Sequence, residues 1–191
     1  MAATMDISSA QRYGKNGERV SRLIERLTNI DWYYDVGSKD SHIEDKLRQF
    51  MSTLEVQSYS LKWISKEEIC EKAKDLSLED SRLWEELQNI PDKLKEKIVE
   101  KEREDILDDI VHHIPEVVYH GAFKGAYDTF EEEKVVAFLV GHAMYVSVLA
   151  CAWELITDDE AWQENPFIDV IDILEQGHLP LGPENNIFYL S

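Results

Sequence analysis

VVAFLVGHAMYVSVLACAW, residues 135–153, runs for nineteen residues without an Asp, Glu, Lys or Arg. Its reading decides the fold. Length alone permits a membrane span, but the flanks argue otherwise. Glu131-Glu132-Glu133-Lys134 precede it, and Glu154 and then Asp158-Asp159-Glu160 follow. No Lys/Arg cluster stands at either end to anchor a cytoplasmic boundary, and Gly141, His142 and Ser147 interrupt the apolar run. A helix that is apolar on all sides and does not meet lipid must be enclosed by protein. The segment is therefore expected to be the central core helix of an all-α protein, with no membrane contact.

The rest of the chain supplies helices to enclose it. Val20, Leu23, Ile24, Leu27 and Ile30 recur at helical spacing from Gly17. A turn over Asp31–Ser38 follows, and Asp40 or Ser41 can cap a helix whose apolar face is Ile43, Leu47, Phe50, Met51 and Leu54. Ser65-Lys66-Glu67-Glu68 has the form of a capping box, and Ser77-Leu78-Glu79-Asp80 repeats the logic ahead of Leu83, Trp84 and Leu87. Residues 91–113 read as one long charged helix, with Pro115 as its break or restart. Tyr119, Phe123, Ala126, Tyr127 and Phe130 then continue an apolar-aromatic face. Gly121 and Gly125 either admit a close neighbour or weaken the helix. Residues 157–162 and 166–174 read as short helices. Residues 56–64 could extend the preceding helix or form a short strand, and Ile187–Leu190 is strand-like, suited to pack across the core or to add to another chain's sheet edge. The expected architecture is a compact multi-helix bundle around helix 135–153 with a short extended C-terminal segment. Residues 1–16 form a flexible N-terminus, and 17–191 form a single helical domain.

Charge narrows the function classes. The 191 residues hold 39 acids and 20 bases, a formal net charge of −19. The excess is uneven, because residues 111–191 contain 14 acids and only Lys124 and Lys134 as bases. Such a field repels nucleic-acid phosphates and anionic membranes and attracts basic proteins or metal ions. The basic row Arg12, Lys15, Arg19, Arg22 and Arg26 is interleaved with Glu18 and Glu25. It is better suited to pairing with the acidic C-terminal part than to binding nucleic acid. Cys70 and Cys151 form no CxxC pair, and residues 1–20 have no signal-peptide core. A reducing, cytoplasmic setting is the expectation.

The densest group of chemically versatile side chains is DDIVHHIPEVVYH, residues 108–120. On a continuous helix Asp109, His112, Glu116 and His120 share one side. Imidazole and carboxylate are sound ligands for a divalent metal, and a single helix needs help from elsewhere to surround one. His142, Glu154, Asp172 and His178 are available to complete a set, and His142 and His178 join His112, Glu116 and His120 as the preferred ligands. The spacing is not HExxH. The plainer interpretation is a solvated helix surface with no cofactor.

Three functions follow. The leading one is a small acidic interaction module, of the adaptor, inhibitor or immunity-like kind, that binds a basic protein. Asp158, Asp159, Glu160, Trp162 and Glu164 would serve as its contact residues, since they combine carboxylates with an aromatic anchor. The first alternative is a metal-dependent helical enzyme that uses the His/carboxylate set. The second is a structural or oligomerisation protein built on the charged helix 91–113, which leaves a homo-oligomer open. There is no Gly-rich phosphate loop, no nucleophile elbow and no P-loop lysine.

Overall fold

The computed structural model describes residues 17–54, 59–74, 89–157, 165–184 and 186–191. Among these residues the chain forms seven helices and one three-stranded sheet. The expected flexible start, the helix expected after Ser77 and the short helix expected at 158–162 lie outside the described residues.

The core is a helical hairpin. Helix α5 is Glu104–Phe130 and helix α6 is Glu133–Glu154. They are joined by Glu131 in the left-handed region, at φ 46. Helix α6 is the apolar segment singled out above. It is long and apolar enough to cross a membrane, yet 67 % of its most apolar window is buried, so that surface is committed to protein contacts. Leu139, Ala143, Val146 and Ala150 are fully or nearly fully enclosed. The bundle with a central apolar helix is thus present as expected.

Around this hairpin stand α1 (Gly17–Thr28), α2 (Ser41–Thr53), α3 (Lys66–Lys74), α4 (Asn89–Glu100) and α7 (Phe167–Glu175). Their local signals act as physical chemistry requires. The Asp40 side chain caps α2 by accepting from the His42 N–H at 2.8 Å. The box before α3 is reciprocal: the Ser65 N–H donates to Glu68 Oε2 at 2.8 Å, and the Glu68 N–H donates to Ser65 Oγ at 3.3 Å. Pro91 lies in the first turn of α4, where its missing N–H costs nothing.

The long charged helix expected over 91–113 is two helices, and the break falls at Lys101–Arg103 instead of Pro115. Glu100 to Asp105 are all charged, so no apolar burial holds that turn in register. Glu102 adopts φ 54. Lys101 Nζ donates to the Ile156 carbonyl at 3.2 Å, and Arg103 donates to the Leu155 carbonyl. Two cations thereby cover carbonyls at the negative end of α6, where the helix dipole favours them. Helix α5 then runs through Pro115 without interruption. The carbonyl that Pro115 leaves without its helical donor belongs to Val111, a residue that is 46 % exposed.

The two ambiguous stretches pair with each other. Strand β1 (Ser60–Trp63) lies parallel to β3 (Ile187–Leu190), with Ser60 opposite Ile187 and Trp63 opposite Leu190. Strand β2 (Pro180–Glu184) pairs antiparallel on the other side of β3. The extended C-terminus is therefore the middle strand of a sheet, with Phe188 and Leu190 fully buried. Leu179 and Ser191 extend the ladder by exchanging backbone hydrogen bonds of 2.6 and 3.0 Å. Neither side of β3 is left for a partner's strand.

The turn between α1 and α2 is plugged into the hairpin. Tyr33 is wholly buried in the left-handed region, at φ 64, and its hydroxyl donates to the Leu139 carbonyl at 2.9 Å. Thr129 Oγ1 donates to the Tyr33 carbonyl at 3.3 Å. Trp32 beside it lies over Gly121 and Gly125 of α5. Of the two roles open to these glycines, admission of a close neighbour is the one observed.

Candidate functional site

Helix α5 carries two apolar rows that the one-dimensional pattern merges. Ile110, Ile114, Val118, Ala122, Ala126 and Phe130 face the core. One position along, Val111, Tyr119, Phe123 and Tyr127 face outward, with the half-buried Pro115 in the same row. Each step is four residues, so the three rings Tyr119, Phe123 and Tyr127 form a ladder ~12 Å long at 1.5 Å per residue that winds about 40° around the helix per step. Tyr119, Phe123 and Tyr127 are 44 %, 42 % and 55 % exposed, although the sequence pattern joins them to the buried Ala126 and Phe130 in one face. Their rings stack along the helix: Tyr119 to Phe123 at 5.9 Å and 20°, Phe123 to Tyr127 at 6.0 Å and 15°.

Acids surround this ladder. Residues 104–134 contain nine Asp or Glu and two Lys. Glu104, Asp105 and Asp108 stand exposed at one end, and Glu131 and Glu133 at the other. The polar row beside the ladder is His112, Glu116, His120, Lys124 and Asp128, all exposed. His120 meets the edge of Tyr119 at 5.4 Å and 77°. His112 Nδ1 lies 2.8 Å from the Asp108 carbonyl, and that bond and the nearby carboxylates raise its pKa.

The metal-ligand candidates fall in separate environments. His112, Glu116 and His120 share one exposed row, as their spacing requires. His142 is buried in α6, where loss of hydration lowers its pKa to about 4 while the Pro180 carbonyl works the other way. His178 is buried against the edge of Trp63 at 5.6 Å, with Nε2 3.6 Å from Asp35. Burial lowers its pKa too, against the pull of the Asp35 and Asp40 carboxylates. Among the described residues, no three His, Cys, Asp or Glu side chains are grouped so as to hold a metal ion. Asp158, Asp159, Glu160, Trp162 and Glu164 lie outside the described residues. The Cys151 thiol is buried and its pKa is pushed well up, which suppresses its reactivity.

Ion pairs between distant parts of the fold take up two members of the basic row, Arg19 and Arg26. Arg26 donates to Glu175 through Nε and Nη2 and to Asp172 through Nη2, and Lys46 reaches the other Asp172 oxygen at 2.5 Å. This ties α1 and α2 to α7. Arg19 Nε lies 2.7 Å from Glu154, a nearly buried carboxylate at the C-terminal end of α6. The Asn165 amide donates to the second Glu154 oxygen at 2.8 Å. A carboxylate is unfavourable at that helix end and away from water, so its partners decide its cost. Beside it lies a cleft of about 270 Å³ that Gln49, Thr53 and Asp169 also line. Glu154 was legible as an acid that could join a ligand set; its burial against Arg19 and Asn165 is a product of helix packing.

Arg19→Ala is therefore expected to lower stability by about 1–2 kcal/mol, less than a fully buried pair would lose because Arg19 is half exposed. Arg22→Ala, which removes an exposed pair with Glu18, should change it by less than ~0.5 kcal/mol. Urea denaturation of the two variants checks this, and equal midpoints would refute it.

No family model, curated protein or solved structure matches this chain.

Proposed function

We propose that this protein is an interaction module that binds a basic protein partner. One observation carries the reading: the acids of residues 104–134 are largely displayed at the surface, whereas Arg19 and Arg26 of the basic row are turned onto acids of the same chain. The outward field of α5 and its ends is accordingly negative. Complementary charge accelerates encounter with a basic surface and rejects acidic ones.

The test is a comparison of two helical proteins of equal size, one basic and one acidic, titrated against this protein at low and moderate ionic strength. The basic protein is expected to bind, and its on-rate should fall steeply with salt. Equal affinity for both, or affinity indifferent to salt, would refute the proposal.

A further inference from the structure

We infer that the Tyr119–Phe123–Tyr127 ladder is the docking strip for an amphipathic helix of the basic partner, one with an apolar seam bordered by Arg and Lys; this rests on the charge reading just given. Three observations converge. The rings are exposed on a rigid helix interior, held in register by stacking on one another. Large aromatic side chains in such a setting are the residue type that dominates binding interfaces. Their i, i+4, i+8 spacing makes them a ridge of the kind that packs into the groove of a crossing helix.

The acids at both ends of α5 select the occupant. A second copy of this chain would set acid on acid. In a parallel pairing Glu104 and Asp105 meet themselves. An antiparallel pairing that overlays α5 end to end brings them to Glu131. Like charges brought together at an interface oppose association, whereas a helix with cationic flanks satisfies both ends.

The probes are two synthetic amphipathic helices of about sixteen residues, enough at 1.5 Å per residue to cover the ladder with about a turn to spare at each end. Both share one leucine seam; one is flanked by Arg and Lys, the other by Glu. Fluorescence anisotropy reads their binding to the full chain, and circular dichroism confirms that the variants stay folded. The cationic helix is expected to bind, and the double variant Phe123→Ser/Tyr127→Ser to weaken it roughly tenfold or more while the melting temperature holds. Equal binding to the parent and the folded double variant, with salt dependence retained, would overturn the strip and leave the charge reading standing. Binding of the Glu-flanked helix as tightly as the cationic one would overturn both. A peptide-free dimer that the same double variant dissolves would assign the strip to a second copy and overturn the inference as stated.

Discussion

Gly125→Val should cost about 3 kcal/mol and lower the melting temperature by roughly 6–12 °C, the shift such a loss produces in a chain of this size. A Cβ built at Gly125 overlaps the Trp32 carbonyl oxygen and lies 2.7 Å from the Trp32 Cβ. The obstacle is largely backbone, so no rotamer change relieves it. Trp32 cannot retreat, because Tyr33 next to it is buried and bonded to α6 through Leu139. Gly141 supplies the control. A Cβ there meets nothing within 4 Å. Gly141→Ala should therefore stabilise the protein by about 0.5–1 kcal/mol through helix propensity and a less flexible unfolded chain. Thermal melts of the two variants should move in opposite directions, and a Gly125→Val melt within about 2 °C of the parent would show that Trp32 is not seated as described.

Acid should weaken the fold through its buried histidines. The folded pKa of His142 is about 4, below the ordinary 6.5, because burial disfavours the imidazolium. Above pH 6.5 the folded and unfolded chains both hold it neutral, and stability does not depend on it. As pH falls from 6.5 toward 4, the unfolded chain takes up the proton first and is stabilised relative to the fold. The loss approaches about 3 kcal/mol once pH drops through the folded pKa. His178, also lowered by burial, acts with the same sign. His142→Leu removes the titration and should flatten the fall in stability between pH 6.5 and 4. Denaturant midpoints for parent and variant across this window give the measurement, and parallel curves would exclude His142 as the source. Acids elsewhere titrate in both proteins, so the difference between the curves isolates the ring.

Several parts of the architecture were legible along the chain because they depend on neighbours in sequence. The capping box at Ser65 and Glu68 and the Asp40 cap are satisfied within three residues, so spacing alone identifies them. The central position of helix 135–153 follows from its having no polar face to offer water. The break at Lys101–Arg103 was not legible, although Glu100 to Asp105 showed where burial fails. Its cause is the capture of Lys101 and Arg103 by carbonyls more than fifty residues away. The proline at 115, a strong local signal, did not end the helix, which runs on to Phe130 on the burial of Ile114, Val118, Ala122 and Ala126.

The candidate site divides the same way. Spacing placed His112, Glu116 and His120 on one row, and that holds for any continuous helix. It could not say that Tyr119, Phe123 and Tyr127 face out while Ala122, Ala126 and Phe130 face in. Both rows are apolar, and only the position of α6 chooses between them.

By itself, then, the sequence determined the helical class, the enclosed central helix, the caps and the acidity. These rest on periodicity, on charge and on bonds between near neighbours. Only the tertiary structure decided that residues 60–63 and 187–190 form one parallel ladder, that Gly125 is the seat of Trp32, that Glu154 is enclosed with Arg19 and Asn165, and that α5 turns an aromatic row to solvent. Each of these depends on which distant surfaces come into contact, and a linear pattern of apolar and charged residues is compatible with more than one such pairing.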